Sequence, residues 1–139
     1  MDFPDHCLRG LRDKDHYTEY DNTITLKGYL PDTRTQHTRE DKGYETSINW
    51  EDTDSVIEFT LNTQESGKKS FPFGIVRLPL VEIQRIIDNE ATKNMISYER
   101  CPVDGNEYHG NIVFQAGLSQ LKQNMIASVL ATYSSKVRK

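Results

Sequence analysis

Two rhythms of apolar side chains run along the chain. From residue 118 to residue 133 they recur at Leu118, Leu121, Met125, Ile126, Val129, Leu130 and Tyr133. That spacing predicts a helix with one buried stripe, its start capped by Gly117 or Ser119. Leu80, Ile83, Ile86 and Ile87 mark one face of a second helix, with Pro79 at a first-turn position where its missing N–H costs nothing. Elsewhere the rhythm is that of strands. Strand-like runs fall at 23–30, ending at Pro31, and at 44–50, 55–61, 71–78, 95–100 and 108–114. Residues 51–54 make a hairpin of the runs on either side, or Asp52 and Asp54 start a short helix in place of the second run. Residues 5–20 are charged, with Leu8 and Leu11 as their only aliphatics, and read as a short helix or an extended arm.

Strands clustered together with two packing helices predict an α+β fold. The expected architecture is a mostly antiparallel sheet of about five or six strands covered on one face by two helices. Whether 71–78, the first helix and 95–100 form a crossover to a parallel strand is left open by the pattern. Residues 32–43 lack a large apolar side chain and predict an exposed polar loop. No repeat or linker divides the 139 residues, so residues 1–139 are read as a single α+β domain.

Composition refines this picture. Apolar residues make up 35% and charged residues 27%, which fits a modest core under a wet surface. A net charge of −4 argues against a dedicated nucleic-acid binder. The basic tail, Lys136, Arg138 and Lys139, reads as a solvated helix end. No apolar run approaches a membrane span, and the N-terminus lacks the basic start and apolar stretch of a secretory signal, so a cytoplasmic protein with no membrane partner is expected. Cys7 and Cys101 are then free thiols.

Familiar chemical signatures are missing from the sequence: there is no Walker loop, Rossmann fingerprint, nucleophile elbow, HExxH or paired CxxC. His6, Cys7, His16, Cys101 and His109 are zinc-type ligands at spacings that match no familiar structural site, so no metal and no cofactor are expected. Cys101 and His109 flank the turn at 102–108 and hairpin pairing would bring them close, but a cysteine followed by proline at a strand end is ordinarily structural. Four polar or aromatic residues remain as candidate binding residues. Arg9, beside Gly10, offers a guanidinium fork to a carboxylate or phosphate, although an ion pair with Glu45 is the simpler reading. Glu45 shares a strand face with Ser47 and Asn49. Trp50, closing that strand, is a core or rim anchor before it is a stacking platform. His109 lies next to Gly110, whose missing side chain lets another group approach.

The same residues carry a short resemblance. Phe3-Pro-Asp-His-Cys-Leu-Arg-Gly-Leu-Arg, then Glu45-Thr-Ser-Ile-Asn-Trp, then Pro102 followed by Tyr108-His-Gly-Asn-Ile resembles a pattern in small bacterial proteins that have no assigned activity. The resemblance implies a bacterial source and a shared site for Arg9, Glu45, Trp50 and His109. Two functions are weighed. The first is a non-enzymatic accessory or adaptor protein that binds another protein in a bacterial multi-component system, favoured by the lack of a catalytic signature. The alternative is a small enzyme or ligand sensor in which Arg9 holds an anion while Glu45 or His109 moves a proton, which requires the three side chains to converge. A homodimer is compatible with either, symmetric dimers being the commonest oligomer.

Overall fold

The computed structural model describes residues 3–11, 17–18, 23–31, 43–61 and 74–138. Their order is β1 (His6–Gly10), β2 (Tyr17–Thr18), β3 (Thr23–Ile24), a 3₁₀ turn (Leu26–Gly28), β4 (Tyr44–Trp50), α1 (Val56–Leu61), β5 (Ile75–Pro79), α2 (Leu80–Asp88), β6 (Ile96–Arg100), β7 (His109–Phe114), α3 (Gln120–Thr132) and β8 (Ser135–Arg138). Six strands form one sheet in the order β6-β7-β4-β1-β5-β8, every neighbouring pair antiparallel, while β2 and β3 pair separately. The fold is α+β, as the pattern of elements predicts. Following the pairings across the sheet, β5 and β6 run in the same direction with three strands between them. Helix α2 therefore carries the chain from one side of the sheet to its far edge.

Alternation sorts the side chains onto two faces. Cys7, Ile48, Trp50, Val76, Leu78, Ile112 and Phe114 point to the face covered by α2 and α3. There they join Ile83, Ile86, Ile126, Ala127, Leu130 and Ala131 in one buried cluster. Leu8 and Ile75 point the other way and pack with Val56 and Leu61 of α1. The two predicted helices thus share a face, and a third, short helix lies on the opposite one.

Four segments differ from the pattern-based expectation. The tail read as a helix end forms β8 at Ser135–Arg138, paired antiparallel with β5. The stretch 5–20 contributes β1, the strand between β4 and β5, because Cys7 and Leu8 are buried on opposite faces. A strand covered on both sides does not alternate and leaves no period-2 signal. Residues 23–30 are strand only at Thr23–Ile24. The chain then turns through Leu26–Gly28, and Tyr29 is fully buried, its hydroxyl hydrogen-bonded with Ser134 at the end of α3. Residues 55–61 form the short helix rather than the strand. Val56, Thr60 and Leu61 are its buried residues, and the Thr60 hydroxyl donates to the Val56 carbonyl at 2.7 Å. The loop expected at 32–43 falls outside the described residues except for Gly43, as does the start of the 71–78 run.

Helix α3 also sits differently from the stripe read in the sequence. Ser119 is its cap, accepting from the Lys122 N–H at 3.2 Å. The buried positions are Leu118, Gln123, Ile126, Ala127, Leu130 and Ala131, whereas Leu121 is 79% exposed, Met125 46% and Tyr133 50%. Ala127 and Ala131 let the helix approach closely along their own side, which turns Leu121 and Met125 outward.

Candidate functional site

The structure distributes the four candidate binding residues over both faces of the sheet. Arg9 follows Cys7 onto the α2–α3 face. Its Nε donates to the Gly28 carbonyl at 2.7 Å and its NH1 to the Ser47 carbonyl at 2.8 Å. Strands β1 and β4 pair only at Cys7–Trp50 and Leu8–Asn49. Beyond that point Ser47, two residues from Asn49, still aims its carbonyl toward β1, and the Arg9 fork supplies the donor. Arg9 therefore ties the 3₁₀ turn to the sheet where the two strands part.

Glu45 leaves the opposite face, because its neighbour Thr46 points inward and donates to the Tyr29 carbonyl at 2.8 Å. The geometry behind an Arg9–Glu45 ion pair is thus replaced by two backbone carbonyls. Trp50 is fully buried. Its Nε1 donates to the Glu99 carbonyl at 3.0 Å, and its ring stands edge-on to Phe3 and Tyr98 with centroids 4.9 and 5.7 Å away. Gly110 provides the close approach read from the sequence, but the approaching group is this indole. A Cβ at Gly110 would lie 2.7 Å from Trp50 Cδ1 and against the Glu99 carbonyl oxygen. Trp50 is a core anchor with no surface left for a ligand.

His109 shares the α1 face with Glu45, and its register partner on β4 is Asn49. Four register steps separate Glu45 and His109, on the order of 13 Å along the strand. The hairpin does bring His109 to Cys101: the Cys101 N–H donates to the His109 carbonyl at 2.8 Å, and His109 Nδ1 lies 2.9 Å from the Cys101 carbonyl. A carbonyl only accepts, so Nδ1 carries the proton and Nε2 the lone pair in the neutral ring. The ring is thus committed to backbone, not to the Cys101 thiol. Arg9 and Trp50 face one way, Glu45 and His109 the other, and the convergence required of an enzyme or sensor built on Arg9, Glu45 and His109 is not present.

Around His109 the α1 face is polar and internally bonded. Asn49 Nδ2 donates to Thr60 Oγ1 at 2.8 Å, and Asn106 Nδ2 donates to Asn49 Oδ1 at 2.8 Å. Asn111 Nδ2 donates to Glu99 Oε2 at 2.9 Å, leaving Asn111 Oδ1 buried without a hydrogen bond. At the end of the sheet, Pro4, Asp5, His6, Glu51, Asp52, Asp54 and Arg77 line an open cleft of about 440 Å³. Two forked ion pairs occupy much of its chemistry. Arg77 holds Glu51 at 2.6 and 2.8 Å, and Arg100 holds Asp52 at 2.7 and 3.0 Å. Hydrogen bonding to these carboxylates raises both guanidinium pKa values above the ordinary one. Cys7 is fully buried, and burial pushes its thiol up to about 12, which makes it inert. Among the described residues no group of three or more His, Cys, Asp or Glu side chains could hold a metal ion.

One surface stands apart from the rest of the chain. From residue 115 to residue 135 Lys122 is the sole charged side chain, in a chain that is 27% charged. On a 3.6-residue period Leu121, Met125, Ser128 and Thr132 lie along the outward face of α3, and all four are exposed. Counting alanine among the buried residues would have revealed this second stripe in the sequence. Among the described residues no helix is long and apolar enough to cross a membrane. No family model, curated protein or solved structure matches the chain.

Proposed function

We propose that this chain is a non-enzymatic accessory or adaptor protein that works by binding protein, and that the outward face of α3 is its contact surface. The observation that carries the reading is an exposed Leu121 and Met125 on a helix face with one charge. Depletion of charge combined with exposed Met, Tyr and aliphatic side chains is what distinguishes the core of a protein interface from ordinary surface. A charged ligand would gain nothing there, while an apolar protein surface would remove Leu121 from water, worth about 1.5–3 kcal/mol for a fully buried leucine. The bacterial source rests on the short resemblance around Arg9, Glu45, Trp50 and His109, and the multi-component setting on the lack of a catalytic signature in the sequence.

The test is a photo-crosslinking amino acid placed at Leu121, with a matched probe at Glu107, an exposed residue between β6 and β7. A discrete protein adduct from position 121 and none from position 107 is expected in extracts of the source cell. Equal labelling from both positions would sink the reading.

A further inference from the structure

Resting on that reading of α3, we infer that the occupant of its outward face is a second copy of this chain, docked antiparallel about a two-fold axis. The stripe is graded in size. Leu121 and Met125 fill its first half and Ser128 and Thr132 its second. A two-fold axis passing between Ile126 and Ala127 sets Leu121 of one copy opposite Thr132 of the other, and Met125 opposite Ser128. Each large side chain then meets a small one, twice over, which is the self-complementarity an isologous interface requires. A parallel pair would set leucine on leucine and serine on serine, leaving a gap at one end.

Polar groups and charge agree with the antiparallel choice. The Thr132 hydroxyl donates to the Ser128 carbonyl of its own helix at 2.8 Å, so its methyl can be covered without stranding a donor. Gln120 Nε2 is likewise engaged with Asn124 Oδ1 at 2.9 Å. Lys122, the one charge, comes beside the last turn of the other copy's α3, where the carbonyl ends of a helix favour a cation. In a parallel pair the two Lys122 side chains would meet instead. A single helix pair buries less than the roughly 800 Å² per partner of a standard interface, which places the expected dimer among weak, concentration-dependent associations.

Sedimentation velocity of the full chain over roughly three decades of concentration tests this. The mass should rise from monomer to dimer as concentration increases. Leu121→Asp should weaken the dimer about a hundredfold with unchanged circular dichroism and, at concentrations where the parent is monomeric, an unchanged melting temperature, since Leu121 is already exposed in the single chain. Met125→Ser and Ser128→Met should each weaken association, and the double variant should restore it by exchanging large for small across the axis. A chain that stays monomeric throughout overturns the dimer, as does a dimer indifferent to Leu121→Asp or singles that the double variant fails to rescue. The crosslink at position 121 separates this inference from the reading beneath it. An adduct of twice the chain mass supports the dimer and α3 as a contact surface. An adduct with a different protein overturns the dimer and leaves α3 as a contact surface, and absence of any adduct overturns both.

Discussion

On the α2–α3 side of the sheet, apolar packing is wide. Among the described residues, eighteen buried apolar side chains form one cluster there, from Cys7 and Trp50 through Phe114 to Leu130 and Ala131. On the α1 side four of the described residues, Leu8, Val56, Leu61 and Ile75, make a buried cluster of their own. The same face carries Asn49, Thr60 and Asn111, all buried and hydrogen-bonded to side chains. The difference follows from cover. Among the described residues, two helices of nine and thirteen residues lie on the first face and a helix of six on the second. Burial on the first side supplies the free energy, while the second side gains definition from directional bonds that fix the 102–108 turn and α1 in place.

The largest expected effect tests where stability resides. Trp50→Ala removes a fully buried ring and its bond to Glu99, and should cost about 3–5 kcal/mol in urea unfolding. Gly110→Ala should be comparably damaging, because the added Cβ meets both the Trp50 indole and the Glu99 backbone, and the backbone cannot step aside. Leu61→Ala, on the α1 side, should cost less, about 2 kcal/mol, since its small cluster can close over the gap. Equal losses from Trp50→Ala and Leu61→Ala would erase the asymmetry between the faces.

How much of this was legible in the sequence depended on how many apolar residues an element carries. The strands 44–50, 95–100 and 108–114 could be read from their runs of β-branched, aromatic and aliphatic residues, and both long helices from their apolar spacing. Strands β4 and β7 were legible in this way although largely buried on both faces. Strand β1 could not, because Cys7 and Leu8 are covered from opposite sides and Arg9 between them and Gly10 looks like surface. The buried side of α3 is marked by Ala127 and Ala131, which a pattern of large apolar residues passes over. Arg9, Glu45, Trp50 and His109 follow one another along the chain in a way that invites grouping. Alternation along β1, β4 and β7 then separates Arg9 and Trp50 from Glu45 and His109, and only the strand register reveals that.

On the α1 side, Asn49→Ala should cost about 1–3 kcal/mol, the usual range for breaking a buried hydrogen-bond network. Its signature should be local. Amide exchange should quicken at residues 103–108, whose turn Asn106 anchors to the sheet through Asn49, while the α2–α3 core keeps its protection. Protection lost evenly across the sheet would mean that the polar network shares in global stability. On the other side, Arg9→Lys should cost about 1–2 kcal/mol. An ammonium on a flexible stem cannot reproduce the fork that reaches the Gly28 and Ser47 carbonyls together. A lysine variant as stable as the parent would show that the parting of β1 and β4 needs a cation but no planar fork.

The smallest effect appears only in alkali and probes how dry the α2–α3 side is. Cys7 has its pKa raised by burial to about 12 from 9.0, and Tyr29 is raised in the same direction for the same reason. Below pH 9 the thiol is protonated in both folded and unfolded chains, and its contribution to stability is fully present. Between pH 9 and about 12 the unfolded chain releases the Cys7 proton while the folded chain keeps it. The unfolded state then binds fewer protons and stability falls as pH rises. By pH 10.5 the loss assignable to Cys7 should be about 1–2 kcal/mol. Cys7→Ala, although less stable at neutral pH because of the cavity it leaves, should lose less between pH 8 and pH 10.5, retaining only the share due to Tyr29. Parallel slopes for the two chains would mean that the thiol ionises as readily folded as unfolded. Water would then reach the centre of the sheet from the α2–α3 side, and the contrast between an apolar face and a hydrogen-bonded one would have to be abandoned.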